Sequence, residues 1–312
     1  MSNSTPSAVA YPRATAGSWE SQKRRQFVYG TIPAMVVLII VTVLPALYLL
    51  TTSFTPLDLT RADATMWNFS QPLVNYSGLV VDKRFTESLQ KQAILSFFTV
   101  GLQLLIGLAV AVMLNSRSRF VEAVRTTFLV PMVLPPIVVA IIWKVLYTPD
   151  ISPFYWLFRS LGWEVPVMIS TASLALWAII IADVWEWFPF SMLMILAALQ
   201  MMPEEPLEAA KIDGASNWQV FRHVVLPLLR PTIVVACLFR LIDSIKAFPL
   251  IFIITQGGPG TATEVTNYYG YLEAFNFSYL GYASAITVIM VAAVFLLSWA
   301  VMRIVGTEVE IE

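Results

Sequence analysis

Two stretches of this 312-residue chain place ionisable side chains inside otherwise apolar sequence. The first contains Asp183 and Glu186, and the second contains Arg240, Asp243 and Lys246 at three-residue steps. On a helix, residues three apart lie on the same side. An ionisable group in the middle of a bilayer is costly unless it faces a partner or a water-filled cavity. The two sets therefore predict either the wall of a polar cavity or ion pairs between helices.

In the first interpretation, the charged groups hydrogen-bond the hydroxyls of a polar solute and nearby aromatic rings pack against its flat faces. The candidate solute pathway comprises Asp183, Glu186, Trp187, Arg240, Asp243, Lys246 and Phe248, with Trp185 and Phe188 as further aromatic surfaces. In the second interpretation, Asp183 or Glu186 pairs with Arg240 or Lys246 and only fixes the bundle. The sequence leaves both interpretations open.

A polar segment, residues 200–224, interrupts the apolar sequence between these two sets. Pro203 and the acidic residues after it are typical of a helix start, where the positive end of the helix dipole favours carboxylates. Gly214 can take the left-handed conformation that ends a helix. Ser216 and Gln219 have the spacing of a capping box that opens the next helix. The segment therefore predicts a short helix with defined ends between two membrane spans.

Other chemistry is not indicated. The turn Gly257-Gly258-Pro259-Gly260 lacks the Gly-Lys-Ser/Thr ending of a phosphate-binding loop, so we expect no nucleotide site. Cys237 is the single cysteine and His223 the single histidine, which predicts neither an internal disulfide nor a metal site. No combination of serine, cysteine, histidine and carboxylate points to an enzyme. We expect no cofactor on this chain and, with a net charge of -1, no nucleic-acid partner.

The composition places the chain in a bilayer. It is 58% hydrophobic and 12% charged, and its mean hydropathy is +0.73. Ordinary soluble domains are roughly 25% charged. Six apolar stretches each approach the roughly 20 residues of a spanning helix: Phe27–Ser53, Lys91–Asn115, Thr127–Tyr147, Ala172–Leu199, Val225–Thr255 and Tyr282–Ile304. They lack period-two alternation, which predicts an all-α membrane protein with a six-helix bundle rather than a barrel. We expect the first stretch to stay as an anchor, since it lacks a cleavage site.

The orientation follows from the excess of Lys and Arg on cytoplasmic loops. An N terminus inside places eleven basic residues inside, against five outside. The inner set is Arg13, Lys23, Arg24, Arg25, Arg117, Arg119, Arg125, Lys211, Arg222, Arg230 and Arg303. We expect a cytoplasmic tail over 1–26, a membrane domain over 27–304 and a cytoplasmic tail over 305–312. The segment 200–224 then faces the cytoplasm.

This segment resembles the EAA loop of ABC importer permeases. The resemblance is carried by Glu208-Ala209-Ala210, by Gly214 after three further residues and by Val224-x-Leu226-Pro227, with Val224 where isoleucine is frequent. In that family the loop forms a coupling helix that inserts into a groove of a separate ATPase subunit. The resemblance assigns ATPase coupling to Leu207, Glu208, Ala209, Ala210, Asp213, Gly214, Leu226 and Pro227.

Further motifs are similar to the sugar-importer branch, which includes the maltose and glycerol-phosphate systems. They are Leu73-Val74-Asn75-Tyr76, Leu129-Val130-Pro131-Met132-Val133-Leu134-Pro135 and Thr255-Gln256-Gly257-Gly258-Pro259. The resemblance implies the type I importer permease fold with a cytoplasmic coupling helix. It also implies ATP-driven inward movement of a carbohydrate or a related polyol or glycerol-phosphate solute by alternating access.

The same resemblance implies the partners. They are a second permease subunit, which in this branch is usually a different chain, two ATP-binding subunits that hold ATP and Mg²⁺, and an extracytoplasmic solute-binding protein. The complex is expected in a bacterial or archaeal cytoplasmic membrane, with both termini of this chain inside. The alternative is a secondary transporter driven by an ion gradient, in which Asp183 and Glu186 would be the coupling sites. No inverted repeat is detectable in the sequence, which counts against that alternative.

Overall fold

The computed structural model describes residues 16–61, 65–116 and 119–309. Within these ranges the regular structure is helical, which confirms the all-α prediction. The α-helices are α1 (Ala16–Leu38), α2 (Leu44–Ser53), α3 (Val74–Val81), α4 (Lys83–Met113), α5 (Arg119–Phe128), α6 (Val130–Val133), α7 (Pro136–Tyr147), α8 (Pro153–Ser160), α9 (Ala172–Gln200), α10 (Glu205–Ile212), α11 (Asn217–Val220), α12 (Leu226–Ile245), α13 (Thr266–Tyr271) and α14 (Leu280–Val309). Short π-helical segments directly follow α1, α11 and α13, and a further one spans Ile251–Thr255.

The chain divides into two units, Met1–Thr51 and Thr52–Glu312. In the first unit, α1 begins at Ala16, inside the segment predicted as a tail, and residues 1–15 lie outside the described residues. In the second unit, α14 continues to Val309, beyond the predicted start of the C-terminal tail. Arg13 and Arg117 of the predicted inner set also lie outside the described residues.

Five helices among the described residues are long and apolar enough to cross a membrane: Arg25–Ser53, Lys83–Met113, Ala172–Gln200, Asn217–Ile245 and Leu280–Arg303. The second begins eight residues before its predicted start. Asp82 caps it by accepting a hydrogen bond from the Arg84 backbone N–H at 2.8 Å. Many side chains on these helices are exposed and apolar, such as Phe97, Leu105 and Phe295. Apolar outer surfaces are what a lipid solvent requires.

The predicted third span, Thr127–Tyr147, is not one continuous helix. The segment is divided into α5, α6 and α7, and the chain is extended at Leu134 and Pro135. A proline donates no backbone hydrogen bond and pushes the residue before it out of the helical region. Leu134 precedes Pro135, and Pro136 then starts α7. A total of six spans is reached only when this broken segment is counted together with the five long helices.

The predicted fifth span, Val225–Thr255, is also broken. The helix α12 ends at Ile245, and helical structure resumes at Pro249. Pro249 cannot continue the hydrogen-bond ladder of α12. The side-chain amide of Asn267 donates to the free carbonyl of Lys246 at 3.0 Å. Pro189, by contrast, lies inside α9, which continues through it.

The helix α4 lies at the centre of the second unit and packs along α9. At their crossing, a Cβ atom on Gly107 would lie 2.8 Å from the Met192 backbone nitrogen, so only glycine allows the helices to approach so closely. Phe98 contacts Trp177 near one end, with ring centroids 4.7 Å apart. The two contacts show that α4 and α9 run in the same direction. The connection between them must therefore return the chain to the end of the bundle where α4 begins.

The helix α12 runs antiparallel to α4 and contacts it through a polar stripe. The Ser244 hydroxyl lies 2.9 Å from that of Ser96, and the Gln92 amide donates to the Ser244 carbonyl at 3.0 Å. Gln103 continues this stripe on the same face of α4 and is fully buried. The stripe brings α12 beside α9, so the charged residues of the two helices meet.

Candidate functional site

A cavity of about 250 Å³ lies between α9, α12 and the break that follows α12. It is lined by Pro136, Asp183, Glu186, Trp187, Arg240, Asp243, Lys246, Ala247, Phe248, Pro249 and Leu250. All seven residues of the candidate solute pathway are among them. The structure thus brings together two sets of side chains that are more than fifty residues apart in the sequence.

Helix periodicity and the break explain why these residues converge. Asp183, Glu186 and Trp187 are three and four residues apart on α9 and share one face. Arg240 and Asp243 are one turn apart on α12. The chain unwinds directly after α12, and this turns the segment from Lys246 to Leu250 toward the same cavity.

Gln103 links the two sets of charges. Its amide nitrogen donates to the Asp183 carboxylate at 2.8 Å and to the Asp183 backbone carbonyl at 3.0 Å. Its amide oxygen accepts from Nε of Arg240 at 2.8 Å. One glutamine therefore satisfies a buried anion and a buried cation, both of which would be costly without hydrogen bonds.

Asp243 forms ion pairs with both cations of the cavity. Nη1 of Arg240 lies 3.2 Å from Oδ2 of Asp243, and Nζ of Lys246 lies 3.1 Å from Oδ1. The guanidinium of Arg240 also lies over the Trp187 ring, with Cζ 4.6 Å from the centroid. Arg240 is 1% exposed, whereas the Lys246 side chain is 64% exposed. Arg240 therefore contacts Gln103, Asp243 and Trp187, whereas Lys246 contacts Asp243 and is otherwise largely exposed.

Glu186 differs from the other charged residues of the site. It is 1% exposed, and neither of its carboxylate oxygens has a hydrogen-bond partner among the described residues. Buried polar groups are nearly always hydrogen-bonded, and an orphaned one requires an explanation. Glu186 lines the cavity, so the cavity is where a partner for it can bind.

The aromatic wall of the cavity is smaller than predicted. Trp187 and Phe248 line it, and Phe248 stacks on Phe252 with centroids 5.2 Å apart. Trp185 instead packs edge-on against a tryptophan of α7, and Phe188 is buried against a phenylalanine of α5. Trp185 and Phe188 lie at other angles around α9, so the prediction that they face the cavity is wrong.

The alternative interpretation, direct ion pairs between helices, is not observed among the residues that the structure describes. Among the described residues, neither Asp183 nor Glu186 lies within 4.0 Å of a cationic nitrogen. Asp183 reaches Arg240 only through Gln103, which the sequence analysis missed. The sequence signal for Gln103 was a series of polar residues that recur on one face of the apolar helix α4.

The segment 200–224 forms the predicted short helix, α10, with defined ends. Gly214 has φ of 80°, which favours glycine. Its N–H donates to the Lys211 carbonyl and that of Ala215 to the Ala210 carbonyl, each at 3.0 Å. This pair of bonds is a Schellman motif, which ends a helix by satisfying its last carbonyls. The Ser216–Gln219 capping box is present, as predicted.

Leu226 and Pro227 lie just after a π-helical segment, Phe221–Val225, that joins α11 to α12. Proline cannot donate to the fourth residue before it. A wider π-turn directly before Pro227 is one of the adjustments that accommodate proline in a helix. The stretch Asn217–Ile245 therefore runs as one long helix from the turn after α10 into the bundle.

The side chains of α10 divide into two faces. Leu207 and Ala210 are half-buried against the rest of the chain, whereas Glu208, Ala209, Asp213 and Gly214 are exposed. Ile212 is 86% exposed, and the sequence analysis did not select it. Leu207 and Ala210 of the predicted set are therefore less available to a partner than the other residues. Ile212 adds an apolar side chain to the exposed face.

Comparison with known proteins places this architecture in a family. The model of the family described as "Binding-protein-dependent transport system inner membrane component" matches residues 103–309. The trehalose/maltose transport system permease protein MalF of Thermococcus litoralis is 37% identical over 209 residues, covering 67% of this chain and 70% of that protein. The sulfoquinovosyl glycerol transport system permease protein SmoG of Agrobacterium fabrum is 32% identical over 277 residues, covering 88% and 89%.

A solved structure confirms the fold. A chain of a bacterial alginate ABC transporter, crystallised with a pentasaccharide-bound periplasmic protein, superposes with a TM-score of 0.76 at 18% identity. The match covers 91% of this chain and 96% of that chain. The prediction of an importer permease is confirmed over the ion-gradient alternative, and the family implies ATPase and binding-protein partners. The chain therefore belongs to the binding-protein-dependent transport system inner membrane components and is a multi-pass permease of an ABC importer.

Proposed function

We propose that this chain is one of two different permease subunits of an importer for a carbohydrate or a related polyol or glycerol-phosphate solute. The observation that carries the proposal is the cavity in which Trp187 and Phe248 lie beside buried hydrogen-bonding groups. Sugars combine apolar ring faces with a rim of hydroxyls. A site for them therefore needs flat apolar surfaces together with a few polar groups that fix orientation.

The relatives support this class of solute. The relatives MalF and SmoG carry names that refer to trehalose, maltose and sulfoquinovosyl glycerol. A third relative, the trehalose transport system permease protein SugA of Mycobacterium tuberculosis, is 29% identical over 292 residues. The residues that match the family model include α9 and α12, which line the cavity.

ATP hydrolysis would occur on two separate ATP-binding subunits, with ATP and Mg²⁺ bound there. The exposed face of α10 and of the turn after it, formed by Glu208, Ala209, Ile212, Asp213 and Gly214, would insert into a groove of one of them. Closure of the ATPases would then move α12, because α11 and α12 form one helix that starts next to α10. The cavity would thereby alternate between the two sides of the membrane, with α10 and both termini in the cytoplasm and the solute-binding protein outside.

The proposal is tested by reconstituting the complete importer, with both permeases, the ATP-binding subunits and the binding protein, into proteoliposomes. We expect ATP-dependent uptake of at least one radiolabelled sugar from a panel that includes trehalose and maltose. The matched control is a complex whose ATPase carries a substituted Walker lysine, which should take up none. Equal uptake with and without ATP, or uptake of no carbohydrate, polyol or glycerol phosphate, contradicts the proposal.

A further inference from the structure

We infer that the cavity between α9 and α12 selects an uncharged, hydroxyl-rich solute and that Glu186 is the side chain that accepts its hydrogen bonds. This inference rests on the proposed function and narrows it. It separates neutral sugars and polyols from their phosphorylated, sulfonated or carboxylated relatives.

The first observation is the balance of charge. The cavity is lined by three carboxylates, on Asp183, Glu186 and Asp243, and by two cations, on Arg240 and Lys246. The site has no surplus of positive charge to offset an anionic solute. Even with Glu186 protonated, the remaining four charges only cancel.

The second observation is that the buried cation already has anionic and π partners. Arg240 donates from Nε to Gln103 at 2.8 Å and from Nη1 to Asp243 at 3.2 Å, and its guanidinium lies over Trp187. The Gln103 amide transmits the contact to Asp183, so two carboxylates share the charge of Arg240. An incoming phosphate would compete with these two carboxylates for the charge of Arg240, and both carboxylates would repel it.

The third observation is Glu186 itself. Both of its oxygens are buried, and neither has a partner among the described residues, although the side chain lines the cavity. An ionised carboxylate only accepts hydrogen bonds, and a protonated one both donates and accepts. Either form binds a hydroxyl, whereas the ionised form repels an anion. A neutral hydroxyl group next to the Trp187 ring therefore satisfies Glu186 in either form, whereas an anion does so only when Glu186 is protonated.

The test is equilibrium binding to the importer complex in nanodiscs without its binding protein, so that selection by that protein does not contribute. The probes are radiolabelled trehalose and maltose, each paired with its own 6-phosphate. The wild-type complex should bind a neutral sugar at least about tenfold more tightly than its phosphate, since like charges placed together are strongly disfavoured. Equal or tighter binding of the phosphate overturns the inference.

Two substitutions test the role of Glu186. Glu186→Leu removes the acceptor and should weaken binding of the neutral sugar about tenfold or more, whereas Glu186→Gln keeps hydrogen bonding and should stay within about threefold. Glu273→Gln is the matched control, because Glu273 is a buried glutamate outside the cavity. Unchanged binding in a folded Glu186→Leu complex overturns the inference.

If the complete wild-type importer takes up no neutral or charged sugar, the proposed function fails and removes the basis of the inference. Uptake of sugars with equal binding of the phosphates leaves the proposed function standing and contradicts only the inference.

Discussion

Arg240 of α12 donates a 2.8 Å hydrogen bond to Gln103 of α4, and both side chains are almost fully buried. Through Gln103, the cation is connected to Asp183 of α9, so one amide joins three helices. This polar layer lies between two apolar clusters, one that includes Leu95 and Ala178 and one that includes Ala111 and Met192. The hydrogen bonds of this layer therefore fix the positions of Asp183 and Arg240, which line the cavity.

The first prediction concerns Gln103. In Gln103→Leu, the Asp183 carboxylate and Nε of Arg240 both lose a buried partner, which should destabilise the protein by about 1–3 kcal/mol or more. The measurement is the thermal unfolding midpoint of the purified complex. Gln90→Leu, the same change at an exposed position of α4, is the control and should leave the midpoint unchanged. A Gln103→Leu complex as stable as wild type would show that the amide does not join the helices.

The second prediction separates the charges by burial. Arg240→Gln strands Asp183 and should cost about 3–5 kcal/mol, and adding Asp183→Asn should recover much of that loss. Asp243→Asn should cost less than about 1 kcal/mol, because the Asp243 side chain is 47% exposed. Thermal unfolding and sugar affinity are measured on the same complexes. Restored stability in the double variant with wild-type sugar affinity would indicate a scaffold and contradict a role of Asp183 and Arg240 in the solute pathway.

The sequence was sufficient to predict the charged residues of the cavity but not their contacts. Helix periodicity and the cost of charge in a bilayer selected Asp183, Glu186 and Arg240, because both depend only on local sequence. The link through Gln103 depends on how closely α4 approaches α9 at Gly107, a tertiary property. Hydropathy alone does not locate the breaks in the third and fifth spans, because it does not register the backbone hydrogen bonds that are lost at Pro135 and Pro249.

The third prediction concerns the end of α10. Gly214→Val forces a β-branched residue to φ of 80°, which should distort the Schellman turn and disconnect ATP hydrolysis from uptake. Gly214→Asn is the matched control, because asparagine tolerates this conformation and no atom lies within 4 Å of a Cβ at this position. Sugar-stimulated ATPase activity and uptake are measured together. Wild-type stimulation and uptake in both Gly214→Val and Glu208→Lys would exclude the coupling role of α10.

The fourth prediction concerns orientation. In a Cys237→Ala background, a cysteine at Ser216 should react with a membrane-impermeant maleimide only after the cells are opened. A cysteine at Ser77 should react in intact cells. Both positions are exposed, whereas Thr263, which the sequence places outside, is fully buried and unsuitable for labelling. Labelling of Ser216→Cys in intact cells would reverse the orientation and remove α10 from the cytoplasm.

The most direct test of the cavity as the solute pathway is to fill it. Ala247 lines the cavity, and Ala247→Trp should occupy much of its roughly 250 Å³. The measurement is ATP-dependent sugar uptake by the reconstituted importer, with Ala93→Trp at an exposed position of α4 as the control. We predict that Ala247→Trp assembles and retains basal ATPase activity but loses at least about 90% of uptake, whereas Ala93→Trp transports normally. Wild-type uptake by an assembled Ala247→Trp importer would contradict the assignment of this cavity as the pathway.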